Sequence, residues 1–283
     1  MTETEGIQRS VLAMDKVRSK DGTLIAYERL GDGPAIIIIT GALGDRADAR
    51  PLAAALAPRF TAFAYDRRGR GDSGDTRPFA IEREIEDIDA LIHEAGGEAF
   101  LFGHSSGAAL ALEAAVRGLP VSKLALYEPP YIVDGSRPPL PQEYVPTLQA
   151  LVASGPPGAA IEYFWRVAML MPPELIAQMR TMPMWPDLVK IEHTLPYDGL
   201  AMGDHMAGKP LPAEWATKVT IPTLVIDGAE SPASLRDAVA AVSRLLPHAE
   251  RRTLDGLGHG APPEVIAPIV TAFLLGKTAT GVA

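Results

Sequence analysis

The stretch Ala99–Arg117, AFLFGHSSGAALALEAAVR, leaves the fewest choices for the fold. Ala99 to Phe102 is apolar, too short for a helix and closed by glycine, so it reads as a buried strand. The Ala- and Leu-rich run after it has helical character and stops at Gly118 and Pro120. Between them Gly103-His104-Ser105-Ser106-Gly107 spells G-x-S-x-G on a strand-to-helix turn. A turn of this kind reverses the backbone sharply and lifts the serine Oγ above the sheet edge. Its neighbours must be small because the following helix packs close, and Gly103, Gly107, Ala108 and Ala109 are small. The glycine spacing nominates Ser105 as a candidate nucleophile. Ser106 begins the helix, where its backbone N–H is a candidate donor to a developing oxyanion. A glycine-bracketed turn with an idle serine would use the same residues, but the placement between strand and helix favours chemistry.

Short apolar runs and helical segments alternate along much of the chain. Asp21-Gly22 is a hairpin signal before the strand-like Thr23–Arg29. Ala35–Ile39 has the β-branched pattern of a strand buried on both faces, and ends in the glycine-rich loop Thr40–Gly44. Arg50–Leu56 reads as a helix with Pro51 near its start. Phe60–Tyr65 is a further buried strand, followed by YDRRGRGDSG, with Gly69, Gly71 and Gly74 in a literal G-x-G-x-x-G. A dinucleotide fingerprint opens a helix directly, whereas this loop runs on to Pro78, which argues against a nucleotide. Ile81, Ile85, Ile88 and Ile92 mark an amphipathic helix, with Glu82, Glu84, Asp87 and Asp89 on its other faces. Lys123–Tyr127 is the next strand and runs into Glu128-Pro129-Pro130. The alternation argues a parallel α/β sheet.

Between about residues 132 and 218 the alternation stops, and the segment reads as proline-rich short helices. It holds all three tryptophans and seven of the nine methionines. Flexible methionine and flat aromatics suit an adaptable apolar pocket, and their confinement to one insertion favours a lid. The alternation resumes with Thr223–Ile226, a helix over Leu235–Leu246, a short strand over Arg252–Leu254 and a closing helix over Pro263–Leu275. The expected division is therefore a core over 1–131, a helical lid over 132–218 and the rest of the core over 219–283.

Composition excludes several classes. The 283 residues include no cysteine, so no disulfide framework, thiol nucleophile or thiolate metal site is available. A formal charge of −9 without a basic stripe argues against nucleic acid. No apolar run approaches a membrane span, and the polar start MTETEGIQRSV, read as a loose tail, lacks the apolar segment of a secretory signal. A cytoplasmic location, no membrane contact and a monomer or homodimer are expected. No H-E-x-x-H or similar metal motif appears, and the expected chemistry needs neither metal nor organic cofactor.

In GHSSG, in YDRRGRGDSG after a buried strand and in Gly256-Leu257-Gly258-His259-Gly260 before the last helix, the sequence resembles the α/β-hydrolase superfamily over nearly all of residues 15 to 275. The resemblance implies a mostly parallel eight-stranded sheet with helices on both faces and a helical lid after the sixth strand. It places the catalytic histidine at His259 and the second oxyanion donor at the backbone N–H of Ala42, where Thr40-Gly41-Ala42 stands for the usual His-Gly-x. The usual acid position after the seventh strand is Ser231, which carries no charge. Three carboxylates remain. Glu128 ends the sixth strand, where some branches keep the acid, including certain haloalkane dehalogenases and zearalenone-type lactone hydrolases. Glu230 adjoins the usual position and is the alternative, and Asp227 lies at the seventh strand's end. Glu128 is the expected acid. The resemblance further implies cleavage of an ester or lactone through an acyl-enzyme. The lid composition suggests a bulky apolar substrate, and Met184 and Trp185 are expected to contact it. The fold also supports cofactor-independent lyases and oxygenases, and non-catalytic binding relatives.

Overall fold

A computed structural model describes residues 14–276; the N-terminal tail lies outside the described residues. Strands β1 (Met14–Arg18) and β2 (Leu24–Leu30) form a hairpin about Asp21-Gly22, and β3 (Ala35–Ile39) follows. Helix α1 (Arg46–Leu56), strand β4 (Thr61–Tyr65), helix α2 (Ile81–Glu94), strand β5 (Ala99–His104), helix α3 (Ser106–Val116) and strand β6 (Val121–Tyr127) come next. Six short helices then intervene: α4 (Tyr144–Ser154), α5 (Ala159–Val167), α6 (Pro173–Met179), α7 (Trp185–Ile191), α8 (Leu195–Met202) and α9 (Trp215–Lys218). Strand β7 (Thr223–Gly228), helix α10 (Ala233–Leu245), strand β8 (Ala249–Leu254) and helix α11 (Pro263–Leu274) complete the chain. The eight strands form one sheet in the order β1-β2-β4-β3-β5-β6-β7-β8. The β1–β2 and β2–β4 pairs are antiparallel and the others parallel.

The apolar runs are two-sided. Ile37 and Ile39 of β3 pack on one face with Leu101, Leu124 and Leu126, while Ile36 and Ile38 pack on the other with Phe102 and Ala125. Side chains alternate across a strand, so four consecutive isoleucines have something to bury on both faces. Each fully buried isoleucine stabilises the fold by roughly 2 kcal/mol. Helices α2, α3 and α10 cover the first face, and α1 and α11 the second.

Three expectations change. Helix α1 starts at Arg46 rather than Arg50, leaving Pro51 inside it. Asp45 caps this earlier start: its side chain accepts from Ala47 N–H at 2.7 Å, and Asp48 accepts from Asp45 N–H at 3.0 Å. Glu84 and Asp87 are not on solvated faces of α2; both are buried, against Arg67 and Arg68. The methionines and tryptophans of the insertion do not gather in one place. Trp215 and Met202 join the core beneath α3, Trp165 sits in a separate cluster within the insertion, and Met169, Met182 and Met184 are exposed. Ala42 and Leu43, from the loop after β3, pack against that separate cluster. Among the described residues no helix is long and apolar enough to cross a membrane.

Candidate active site

Ser105 takes φ 56° and ψ −126° between β5 and α3. A non-glycine residue there carries strain of about 1–3 kcal/mol and persists only where its surroundings enforce it. Its N–H bonds to Tyr127 O at 2.9 Å, and its own carbonyl accepts from Ala108 N–H at 2.9 Å, so strand ladder and helix both grip it. A Cβ on Gly103 would stand 2.4 Å from Gly107 O, and one on Gly107 would stand 2.3 Å from Ile39 O. The two glycines are there because the helix start lies against strand backbone.

His259, on the loop between β8 and α11, places Nε2 3.0 Å from Ser105 Oγ and Nδ1 2.6 Å from Glu128 Oε2. A carboxylate at Nδ1 holds the proton on that nitrogen and leaves the Nε2 lone pair facing the hydroxyl. Glu128 is fully buried just past β6, with φ 48°, and its N–H continues the ladder to Ile226 O at 2.9 Å. Its other oxygen accepts from Gly228 N–H at 2.8 Å. Burial pushes the Glu128 carboxyl up, but His259 and the Gly228 N–H outweigh it and leave the group below the ordinary glutamate value.

The other carboxylates are elsewhere. Asp227 is buried under Arg251 and accepts from Thr253 Oγ1 at 2.9 Å, which ties it to the β7–β8 ladder. Glu230 is exposed at the surface, and only its backbone is engaged, through its N–H to Leu257 O at 2.9 Å. Ser105, His259 and Glu128 are thus brought into one hydrogen-bonded row, and Glu230 is outside it. His104 adds a further hold: its Nε2 lies 2.8 Å from His259 O. Burial lowers its pKa to about 4, with the neighbouring His259 acting in the same direction.

The loop expected to supply Ala42 borders the serine: a Cβ on Gly41 would stand 2.9 Å from Ser105 Cβ. Met184 is 47% exposed. The Trp185 ring packs on Gly158 and, at 5.8 Å between centroids, on Trp165. Among the described residues no group of three or more His, Asp or Glu side chains is placed to hold a metal ion.

Sequence reasoning missed the arginines of YDRRGRGDSG. Arg67, Arg68 and Arg70 are buried, and Arg67 and Arg70 both reach Asp198 of α8 at 2.7 Å. The available signal was three arginines in one loop, with acids spaced i, i+3 at Glu84 and Asp87 in the next helix.

Comparison with known proteins bears on the fold. A crystal structure of an alpha/beta hydrolase from Sphaerobacter thermophilus DSM 20745 has a TM-score of 0.86 and 50% identity, covering 92% of this chain and 100% of that one. The uncharacterized hydrolase YraK of Bacillus subtilis (strain 168) is 32% identical over 100 residues, 34% of this chain and 37% of that protein. N-formylmaleamate deformylase of Pseudomonas putida is 32% identical over 111 residues, 38% of this chain and 41% of that protein. The chain therefore matches about two fifths of the length of these curated relatives. The profile of the alpha/beta hydrolase family matches residues 36–268, and the chain belongs to that family.

Proposed function

We propose that the protein is a serine hydrolase that cleaves a carboxylic ester or lactone of a bulky apolar small molecule through an acyl-enzyme. The observation that carries this reading is the continuous row from Ser105 Oγ through the His259 imidazole to the Glu128 carboxylate, on a strained elbow. In the first half-reaction Ser105 Oγ attacks the carbonyl carbon and its proton passes to His259 Nε2. Glu128 stabilises the imidazolium without taking the proton. The carbonyl electron pair becomes an oxyanion, held by the N–H groups of Ala42 and Ser106. Collapse expels the alkoxide, which takes the proton from His259. Water then attacks the acyl-enzyme and gives a proton to His259; collapse breaks the bond to Ser105 Oγ, which takes that proton back, and the acid leaves. For a lactone, the alkoxide and the acid belong to one product.

The apolar substrate class is supported by the lid cluster around Trp165, which reaches the Ala42 loop. Trp185, packed against that cluster, and the exposed Met184 next to it in the chain are the proposed substrate contacts. A formyl amide is a second substrate class for the same chemistry, favoured by the likeness to N-formylmaleamate deformylase.

The test is hydrolysis of p-nitrophenyl esters of rising chain length, of aromatic lactones and of an N-formyl amide, with wild type and Ser105→Ala side by side. Removing the nucleophile is expected to cost about 10⁴-fold or more in turnover. A fluorophosphonate is expected to add one mass increment to wild type and none to Ser105→Ala. A wild type that cleaves neither esters, lactones nor formyl amides, or a variant that keeps its rate, contradicts the reading.

A further inference from the structure

The chemistry proposed above uses three side chains and two backbone N–H groups. Another cluster lies beside them and takes no part in proton transfer. Asp198, on α8, is buried. Its Oδ1 accepts from Ser106 Oγ at 2.7 Å and from Arg67 Nη1 at 2.7 Å, and its Oδ2 accepts from Arg70 Nη2 at 2.7 Å. Arg67 also forks onto Glu84 through two bonds of 2.7 Å. Two guanidiniums thus face two carboxylates, so the cluster adds no net charge beside the oxyanion.

The arginines spend their remaining donors on one stretch of backbone. Arg67 Nη1 also donates to Thr40 O at 3.3 Å. Arg70 Nη1 donates to Gly41 O at 2.6 Å and to Gly44 O at 2.9 Å. A trans peptide is planar, with its C=O and N–H pointing in opposite directions. Fixing Gly41 O therefore fixes the direction of Ala42 N–H, turned away from the arginine. That peptide borders the nucleophile, since a Cβ on Gly41 would be 3.5 Å from Ser105 Oγ. Arg70 does this while its own buried Nε has no hydrogen-bond partner among the described residues. Its guanidinium is set for the loop rather than for its own saturation.

We propose that Asp198, Arg67 and Arg70 are positioning residues for the oxyanion hole. Asp198, from the inserted helices, holds the hydroxyl of Ser106, the residue whose N–H is one donor, and through Arg70 it holds the Gly41–Ala42 peptide that carries the other, with Arg67 on the neighbouring Thr40–Gly41 peptide. This rests on the serine-hydrolase reading above. Oxyanion donors act by being pre-aimed at where charge will develop, and losing one costs about 10²–10³ in turnover. Loosening one costs less. The bonds of Asp198 itself are side chain to side chain, as a tie of α8 to the core would be; the bonds that go beyond such a tie are those of the two arginines to the carbonyls of Thr40, Gly41 and Gly44, in the loop that carries a proposed donor.

Ser106→Ala is the decisive variant. It removes the hydroxyl bond to Asp198 and leaves Asp198 paired with both arginines. We expect kcat on a p-nitrophenyl ester to fall about tenfold with KM within about twofold. The inhibition constant of a trifluoromethyl ketone, which forms an oxyanionic adduct on Ser105, is expected to rise in the same proportion. The pH profile of kcat/KM, set by the His259 step, is expected to keep its midpoint. Arg70→Lys keeps the charge but loses the fork, and is expected to show the same split. A folded Ser106→Ala enzyme with unchanged kcat and inhibitor affinity, or a rise in KM alone, overturns the proposal. Ser106→Ala decides the Asp198–Ser106 contact; if Arg70→Lys fails to fold by thermal melting, Arg67→Lys, which gives up the bond to Thr40 O, decides the arginine contacts by the same split. Collapse of Ser105→Ala beside a wild-type-like Ser106→Ala overturns this inference and leaves the hydrolase reading standing. An inert wild type overturns both.

Discussion

Two groups hold His259 without reacting. Glu128 binds its Nδ1, and His104 binds its backbone carbonyl. The cost of the second hold is a histidine kept neutral by burial, with its pKa lowered to about 4 against an ordinary 6.5. Between those values the unfolded chain binds the proton and the folded chain does not. His104 therefore contributes stability above pH 6.5 that is lost as the pH falls towards 4, on the order of 2 to 3 kcal/mol. Urea unfolding at pH 7.5, 5.5 and 4.5 is expected to show a steeper acid loss for wild type than for His104→Gln. Parallel losses would contradict this. At this scale much of the site was legible. Ser105 follows from the glycine spacing of its turn, whereas His259 and Glu128 come from the resemblance to the superfamily, in which Ser231 stands at the usual acid position. The buried arginines were not legible, because charge does not reveal burial. Only the fold shows that Arg67 and Arg68 have Glu84 and Asp87 to face.

The elements follow from pattern where the pattern has a period. Isoleucines at Ile81, Ile85, Ile88 and Ile92 mark α2, and the β-branched run marks β3. The start of α1 was missed because Pro51 was taken as a helix start, whereas the Asp45 cap sets it. Asp45→Ala is expected to destabilise the protein by about 1 kcal/mol, read as a lower urea midpoint at unchanged slope. An unmoved midpoint would mean the cap contributes nothing. The inserted helices are short and broken by prolines, so no periodicity shows which face each one buries. Asp198 on α8 is the clearest loss. Asp198→Asn leaves two buried arginines short of a counter-charge and is expected to cost about 3–5 kcal/mol. A variant as stable as wild type in urea would contradict the burial of that pair. Trp185→Ala is expected to raise KM for the longest ester about tenfold and to leave the acetate within twofold. Equal effects on both esters would remove Trp185 as a substrate contact.

Across the whole molecule, the sheet brings distant residues to one edge. Ser105 follows β5, Glu128 follows β6, and His259 follows β8, so three parallel strands deliver the row at their carboxyl ends. That arrangement was legible because alternating apolar runs and helices imply parallel order, and parallel order puts successive loops side by side. The residues alone left three carboxylates near neighbouring strand ends, Glu128, Glu230 and Asp227, and the expectation of Glu128 came from the resemblance, since spacing does not say which side chain turns inward. The direct measurement is turnover of one p-nitrophenyl ester by Glu128→Ala and Glu230→Ala beside wild type. Loss of the acid that orients the base is expected to cost on the order of 10⁴-fold in kcat for Glu128→Ala, with Glu230→Ala within about twofold of wild type. A Glu128→Ala enzyme that is folded and turns over like wild type, or a collapse confined to Glu230→Ala, would contradict the account.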